Sequence, residues 1–290
     1  MRQLRLLVAE GNTLEARSRI ASQAGETPGE GYAAALRSIV PSARVDLCFP
    51  ADGNPNLAAP LESYDGVVIT GSALNLYKSE PAALRQVDFA RAVFARQIPL
   101  FGSCWGLQVA TVAAGGEVAR NPKGREVAFA RKVMLTDVGR AHPLHRGREG
   151  SFDALAIHSD EVVRLPANAV VTARNALSVV QAAEIRYGGG VFWGVQYHPE
   201  FTLRDVAFVL RRYGQILVDE GFFADVAALE HYASDLNALA AHPARVDLAW
   251  RLGIDADILQ PRLRQCEIAN WIAVQVQTRS TSSLVGSVKA

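Results

Sequence analysis

The stretch from Ile98 to Ala114 constrains this chain more than any other. Ile98 to Phe101 is a short apolar run with the length of a buried strand, and the alanine-rich segment Leu107 to Ala114 has the pattern of a helix. Between them stands Gly102-Ser103-Cys104-Trp105-Gly106, a cysteine with a glycine two places before it and two places after it. That spacing at a strand-to-helix turn matches a nucleophile elbow, where a sharp turn lifts the reactive side chain clear of the sheet and the glycines prevent clashes. A thiol at a helix N-terminus also meets the positive end of the helix dipole. Most cysteines are small apolar fillers, but the two glycines and the strand-turn-helix setting make Cys104 the candidate nucleophile.

Around this turn the chain alternates strand and helix patterns. Leu4 to Glu10 and Gly66 to Thr70 read as buried strands, Arg44 to Phe49 as another, and Tyr32 to Ile39 and Ala82 to Arg96 as helices, the latter with Pro81 near its first turn. The polar stretch Gly11 to Gly31 is long for a simple loop and has room for a short helix over Leu14 to Ala21. This alternation predicts an α/β fold with a mostly parallel central sheet covered by helices. After Gly115-Gly116 short strands follow with few helices between them: Arg131 to Leu135, Asp153 to Ile157, Val170 to Ala173, Val179 to Ile185 and Val191 to Val195. They predict an antiparallel strand region. Thr202 and Asp205 open a helix to about Val218 with a capping-box pattern. Beyond Gly221, Val226, Leu229, Ala233 and Leu236 recur at helical spacing, as do Leu259, Leu263 and Cys266. The chain thus divides into a domain over 1–221 and a helical C-terminal extension over 222–290, whose serine-rich end from Arg279 is expected to fray.

Composition narrows the function classes. The net charge is +1 and no basic stripe is interleaved with aromatics, so nothing points to nucleic acid. No apolar run approaches the ~20 residues of a membrane span, and the apolar run at the start is too short for a signal peptide. Cys48, Cys104 and Cys266 are far apart and odd in number, with neither a disulfide framework nor a zinc spacing, so no metal is called for and the expected compartment is a reducing cytoplasm.

A cysteine nucleophile needs a base, and the base an orienting group. His142 and His145 lie in a basic stretch containing Pro and Gly and read as surface residues, while His231 and His242 fall in the helical extension without obvious partners. His198 stands just beyond an apolar strand in His198-Pro199-Glu200. Residues two apart in an extended chain share a side, so Glu200 can hold the His198 ring. His158, in His158-Ser159-Asp160, also follows a strand and suits a binding or secondary role.

With these residues in place the chain resembles the class I glutamine amidotransferases, on Gly102-Ser103-Cys104-Trp105-Gly106-Leu107-Gln108 followed some ninety residues later by His198-Pro199-Glu200. The resemblance covers roughly residues 4–220. It is to free-standing glutaminase-type domains, similar to the glutaminase domain of GMP synthase and to γ-glutamyl peptidases. It implies a Cys-His-Glu triad of Cys104, His198 and Glu200, with no cofactor, acting on glutamine or a γ-glutamyl compound through a γ-glutamyl thioester. It also implies that Thr70-Gly71-Ser72 is the oxyanion loop, with backbone N–H groups near Gly71 and Trp105 as donors. Ser72, Gln108 (one helical turn after Cys104), His158 and Asp160 are the implied substrate-binding residues.

The loop reads Gly71-Ser72-Ala73 where many members have Gly-Gly-Pro, which is closer to the peptidases than to the biosynthetic subunits. No ATP-binding glycine-rich loop is present, so this chain would not itself activate an ammonia acceptor. The leading expectation is hydrolysis of glutamine with ammonia released to a separate synthetase chain. The alternatives are a hydrolase of γ-glutamyl peptides or amines, and a catalytically silent homologue that binds a ligand. The apolar helix faces beyond residue 222 must be buried, against the chain itself, a second copy in a homo-oligomer, or a synthetase.

Overall fold

The fold is seen in a computed structural model that describes residues 2–279; the expectation of fraying falls from residue 280 onward outside the described residues. The first half alternates β1 (Arg5–Ala9), α1 (Leu14–Ala24), α2 (Pro28–Ile39), β2 (Arg44–Cys48), β3 (Gly66–Ile69), α3 (Pro81–Ala95), β4 (Leu100–Ser103) and α4 (Trp105–Ala113). The stretch after β1 holds more helix than expected. Thr13 caps α1, and Thr27 with Glu30 forms a capping box in front of α2, with Pro28 in its first turn.

Short strands follow: β5 (Glu117–Arg120), β6 (Glu126–Leu135), then the one-turn α5 (Asp137–Ala141), β7 (Ser151–His158), β8 (Asp160–Arg164), β9 (Ala169–Arg174), β10 (Ala182–Tyr187) and β11 (Gly190–Val195). The described residues continue with α6 (Leu203–Tyr213), opened by the Thr202–Asp205 capping box, α7 (Gln215–Asp219), α8 (Val226–Ala241), α9 (Val246–Leu252), α10 (Ala256–Leu259), α11 (Pro261–Arg264) and α12 (Cys266–Trp271), which runs into a π-helical turn over Ile272–Val276.

The central sheet has nine strands in the order β2-β1-β3-β4-β11-β10-β9-β6-β7, with β5 and β8 forming a separate antiparallel pair. All of the nine except β6 and β10 run the same way. This is the expected α/β architecture: a mostly parallel, helix-covered sheet with an antiparallel strand region and a helical C-terminal part. The sequence pattern groups β11 with the antiparallel strands, and it is the seam instead. It pairs antiparallel with β10 and parallel with β4, placing Val195 opposite Ser103. The chain leaving β11 therefore emerges beside the elbow that follows β4.

Successive residues point to opposite faces of a strand, and the two faces feed separate cores. Leu6, Val8, Val68, Phe101, Trp193 and Val195 face α2, whereas Leu7, Val67, Ile69, Leu100 and Phe192 face α3 and α4. The segment beyond residue 222 has no core of its own. Leu229, Ala233, Leu236 and Leu239 of α8 close a third core with Leu203 and Leu210 of α6 and Phe129 and Leu155 of the sheet, while Val226 stays exposed. Ile268, Trp271, Ile272 and Val276 return to the α2 face of the main sheet.

That return is fixed by a buried polar cluster which overturns the surface reading of His145. The Arg148 Nε and Nη2 donate to the two carboxylate oxygens of Glu267 at 2.8 and 3.0 Å, and His145 is buried, with Nε2 2.9 Å from the Thr172 hydroxyl and Nδ1 3.6 Å from Glu267. His142, read the same way, sits 3.1 Å from the Glu184 carboxylate.

Candidate active site

Cys104 occupies a turn that only a constrained backbone makes, with φ 52° and ψ −102°. Its amide donates to the Val195 carbonyl at 2.8 Å, which locks the elbow to β11. The flanking glycines are required by contact: a Cβ on Gly102 would stand 2.7 Å from the carbonyl carbon of Gly106, and one on Gly106 2.5 Å from the Ile69 oxygen. The thiol is nearly buried and lies 3.9 Å from the Ile157 carbonyl oxygen.

His198 follows β11 in a turn rather than in the extended chain expected. Its amide is held by the Leu155 carbonyl at 2.7 Å, and its ring stacks on Phe201 with centroids 3.9 Å apart. The two-residue spacing still brings the carboxylate into place, with Nδ1 2.7 Å from Glu200 Oε1. That contact leaves Nε2 as the nitrogen for the Cys104 thiol. Burial works against a charge on the ring, but the Glu200 carboxylate and the Cys104 thiol outweigh it and raise His198 to about 10. The other edge of the ring rests on Gly71, where a Cβ would stand 2.7 Å from Cε1.

The family model for class-I glutamine amidotransferases matches residues 42–211. The chain belongs to that family. It is 40% identical over 277 residues, covering 94% of this chain and 93% of the relative, to a γ-glutamyl-L-1-hydroxyisopropylamide hydrolase from Pseudomonas. It is 34% identical over 146 residues to one subunit of the glutamine-hydrolysing GMP synthase from Ignicoccus hospitalis, covering 50% of this chain and 72% of that one. A solved glutamine amidotransferase from Thermotoga maritima has the same fold, with a TM-score of 0.64 at 17% identity over 96% of this chain and all of that one.

In this member of the class-I glutamine amidotransferase family the remaining predicted residues lie around the elbow in different states. Trp105 is fully buried and its indole N–H donates to Gln86 Oε1 at 2.7 Å. Gln108 lies behind Cys104, where its Nε2 donates to the Asp160 carbonyl at 3.1 Å and to Gln196 Oε1 at 3.3 Å. Both ring nitrogens of His158 are engaged, Nδ1 3.0 Å from the Asp160 carbonyl and Nε2 2.8 Å from Glu126 Oε2. The Asp160 carboxylate accepts from Asn75 Nδ2 at 2.7 Å, Ser159 Oγ at 3.2 Å and the Tyr77 hydroxyl at 3.3 Å. Ser72 is half-buried, its hydroxyl accepting from the Leu74 amide at 3.3 Å. Among the described residues no group of three or more His, Cys, Asp or Glu side chains could hold a metal ion, and no helix is long and apolar enough to cross a membrane.

Several polar residues of the site carry no local sequence signal. Glu126 is a buried hub that accepts from His158, from Asn175 Nδ2 at 2.6 Å and from Gln181 Nε2 at 2.7 Å. Glu10, Asn12, Gln86, Asn75 and Tyr77 also converge on the site. For Glu10, Asn12 and Gln86 the hint is position, a polar group at the end of an apolar strand or on the inner face of a helix that must find a partner. Asn75 and Tyr77 lie in the loop and single turn before α3, with Tyr77 exposed, and carry no such hint.

Proposed function

We propose that this chain hydrolyses a γ-glutamyl amide to glutamate and a free amine through a γ-glutamyl thioester on Cys104. The observation that carries this reading is the span of the 40% identity, which runs along nearly the whole of both chains and includes the segment beyond residue 222. The likeness to the GMP synthase subunit covers only half of this chain. This favours the first alternative drawn from the sequence over ammonia donation.

The geometry supports a complete chemical cycle. With the thiol proton passed to His198, the Cys104 sulfur attacks the γ-carbonyl carbon and the carbonyl π pair moves onto oxygen. The resulting oxyanion is met by backbone N–H groups of the Gly71–Ser72 loop and of Trp105 at the start of α4. The tetrahedral adduct collapses, the C–N bond breaks, and the departing amine takes a proton from His198, which Glu200 keeps in the required tautomer. Water then enters, gives its proton to His198 and attacks the thioester carbonyl, and the C–S bond breaks to release glutamate. In this reading Asp160, hydrogen-bonded by Asn75 and Tyr77, receives the α-ammonium group of the γ-glutamyl moiety. Water is the acceptor, so the cycle needs no synthetase partner. The three unpaired cysteines fit a reducing cytoplasm.

A leaving-group screen tests the reading. Purified protein is offered glutamine, glutathione and a series of γ-glutamyl alkylamides and hydroxyalkylamides, and glutamate, ammonia and free amine are measured. The expected result is a kcat/KM for one of the alkylamides that exceeds that for glutamine by at least about tenfold. Faster release of ammonia from glutamine than of amine from every amide overturns it.

A further inference from the structure

The turn that ends β1 holds both sides of the proposed oxyanion site, and nothing in the Cys-His-Glu arrangement accounts for it. Asn12 Nδ2 donates to the Gly71 carbonyl at 3.2 Å and to Glu10 Oε1 at 2.7 Å. The same Glu10 oxygen accepts from the Asn12 amide at 3.0 Å, and its other oxygen accepts from the Gly29 amide in the first turn of α2. The Gly11 amide donates to Thr70 Oγ1 at 2.9 Å, one residue before Gly71. Gln86 Nε2 donates to the Gly11 carbonyl at 2.9 Å, and Gln86 Oε1 accepts from the Trp105 indole. Glu10, Asn12, Thr70 and Gln86 are all buried. One three-residue turn therefore ties the Thr70–Ser72 loop to the first residue of α4.

Gly71 must lack a side chain because His198 lies on it. A glycine also leaves the following peptide freer to rotate than any other residue would. In a planar trans peptide the C=O and the next N–H point opposite ways. Holding the Gly71 carbonyl on Asn12 therefore aims the Ser72 N–H away from the β1 turn. Among the described residues, neither the Ser72 nor the Trp105 backbone N–H has an acceptor within the chain. Both are donors without a use in the resting fold, as an oxyanion site needs.

We propose that Asn12, held in place by Glu10, is a positioning residue that locks the Gly71–Ser72 peptide so that the Ser72 N–H faces the oxyanion formed at Cys104. This rests on the hydrolytic reading above. It assigns Asn12 no contact with substrate. Its effect is confined to the step in which negative charge appears on the carbonyl oxygen.

The experiment compares Asn12→Ala and Asn12→Asp with the wild-type chain. Asn12→Asp keeps the size of the side chain, replaces the donor with an acceptor and sets a second carboxyl group against Glu10. Three quantities are read: kcat and KM on a γ-glutamyl anilide, the rate of Cys104 alkylation by iodoacetamide, and the melting temperature. Alkylation is a displacement at an sp3 carbon and forms no oxyanion. Expected is a kcat about 10²-fold lower in both variants, towards the loss seen when an oxyanion donor is removed, with KM and the alkylation rate within roughly threefold of wild type. Unchanged kcat in a folded variant overturns the proposal, as does a parallel fall in turnover and alkylation. A wild-type chain that is alkylated at Cys104 but hydrolyses no γ-glutamyl amide overturns the functional reading, and the positioning role with it.

Discussion

Trp271 lies directly on Gly66: a Cβ built on the glycine would stand 2.8 Å from the indole Cη2, and at the same distance from Val276 Cγ2. Gly66 opens β3, the strand that leads to Thr70-Gly71-Ser72 in the candidate active site. The segment Trp271–Val276 thus covers the strand that carries the proposed oxyanion loop. The sequence requires the apolar faces of the extension to be buried against the chain itself, a second copy or a synthetase. Its innermost residues are spent on the sheet itself.

Removing that cover should cost the whole fold. Trp271 is fully buried, and truncating such a side chain costs about 3–5 kcal/mol, a large share of a marginal stability. Trp271→Ala is expected to melt well below the wild type, and deletion after Glu220 to give a chain that neither melts cooperatively nor labels at Cys104 with a γ-glutamyl chloroketone. A truncated chain that does both would show the extension to be dispensable.

Glu200 should be visible through His198. Against the cost of burial, the carboxylate and the neighbouring thiol raise the imidazole to about 10 from an ordinary 6.5. A raised histidine stabilises the fold fully below its unfolded pKa, and that contribution is lost as pH rises through the folded value. The His198–Glu200 pair is therefore worth most below about 6.5 and fades towards about 10. Glu200→Gln removes the main charge that favours the imidazolium. By NMR, the His198 ring should stay protonated through neutral pH in the wild type and titrate at clearly lower pH in the variant, while turnover falls by on the order of 10²–10⁴. An unmoved titration would detach Glu200 from His198 in solution.

What could be read from the sequence was local. The elbow needs glycines two residues either side of Cys104, and His198 meets Glu200 because two residues separate them, so both were legible without knowing the fold. The alternation of β1, β3 and β4 with helices was legible for the same reason. The pairings that close the site are not local. Val195 opposite Ser103, Asn12 on Gly71 and Glu126 under His158 join residues far apart in sequence. His145 reads as a surface residue from its basic neighbours, yet it is buried against Thr172 and Glu267 of α12.

Glu267 gives the fold an acid-sensitive clamp. Burial alone would push this carboxyl up, but the Arg148 guanidinium, with His145 and two hydrogen bonds, brings it down to about 2 from an ordinary 4.5. A depressed carboxylate contributes stability that is present above its unfolded pKa and lost as pH falls through the folded one. The wild-type melting temperature should accordingly drop between about pH 4.5 and pH 2. Glu267→Gln leaves the buried Arg148 with only the Asp257 carboxylate, 3.7 Å from its Nη1, as counter-charge, so the loss is below the roughly 3–5 kcal/mol of a fully unpaired buried charge. The variant should be less stable at neutral pH, and its melting temperature should depend less on pH across that window. Equal pH dependence in the two proteins would assign the acid sensitivity elsewhere.

The elbow should trade stability for reactivity at Cys104 itself. At φ 52° and ψ −102° a residue with a Cβ is strained, typically by about 1–3 kcal/mol at functional positions. Cys104→Ala keeps the Cβ and the strain but removes the sulfur, so it should lower hydrolysis by ~10⁴-fold or more with a melting temperature close to wild type. Cys104→Gly removes the strain as well, offset by the roughly 0.5–1 kcal/mol that glycine costs in the unfolded chain. It should be equally inactive and melt above Cys104→Ala. A glycine variant less stable than the alanine one would mean that the backbone relaxes once the thiol is gone, and an alanine variant with near-normal turnover would remove Cys104 from the reaction.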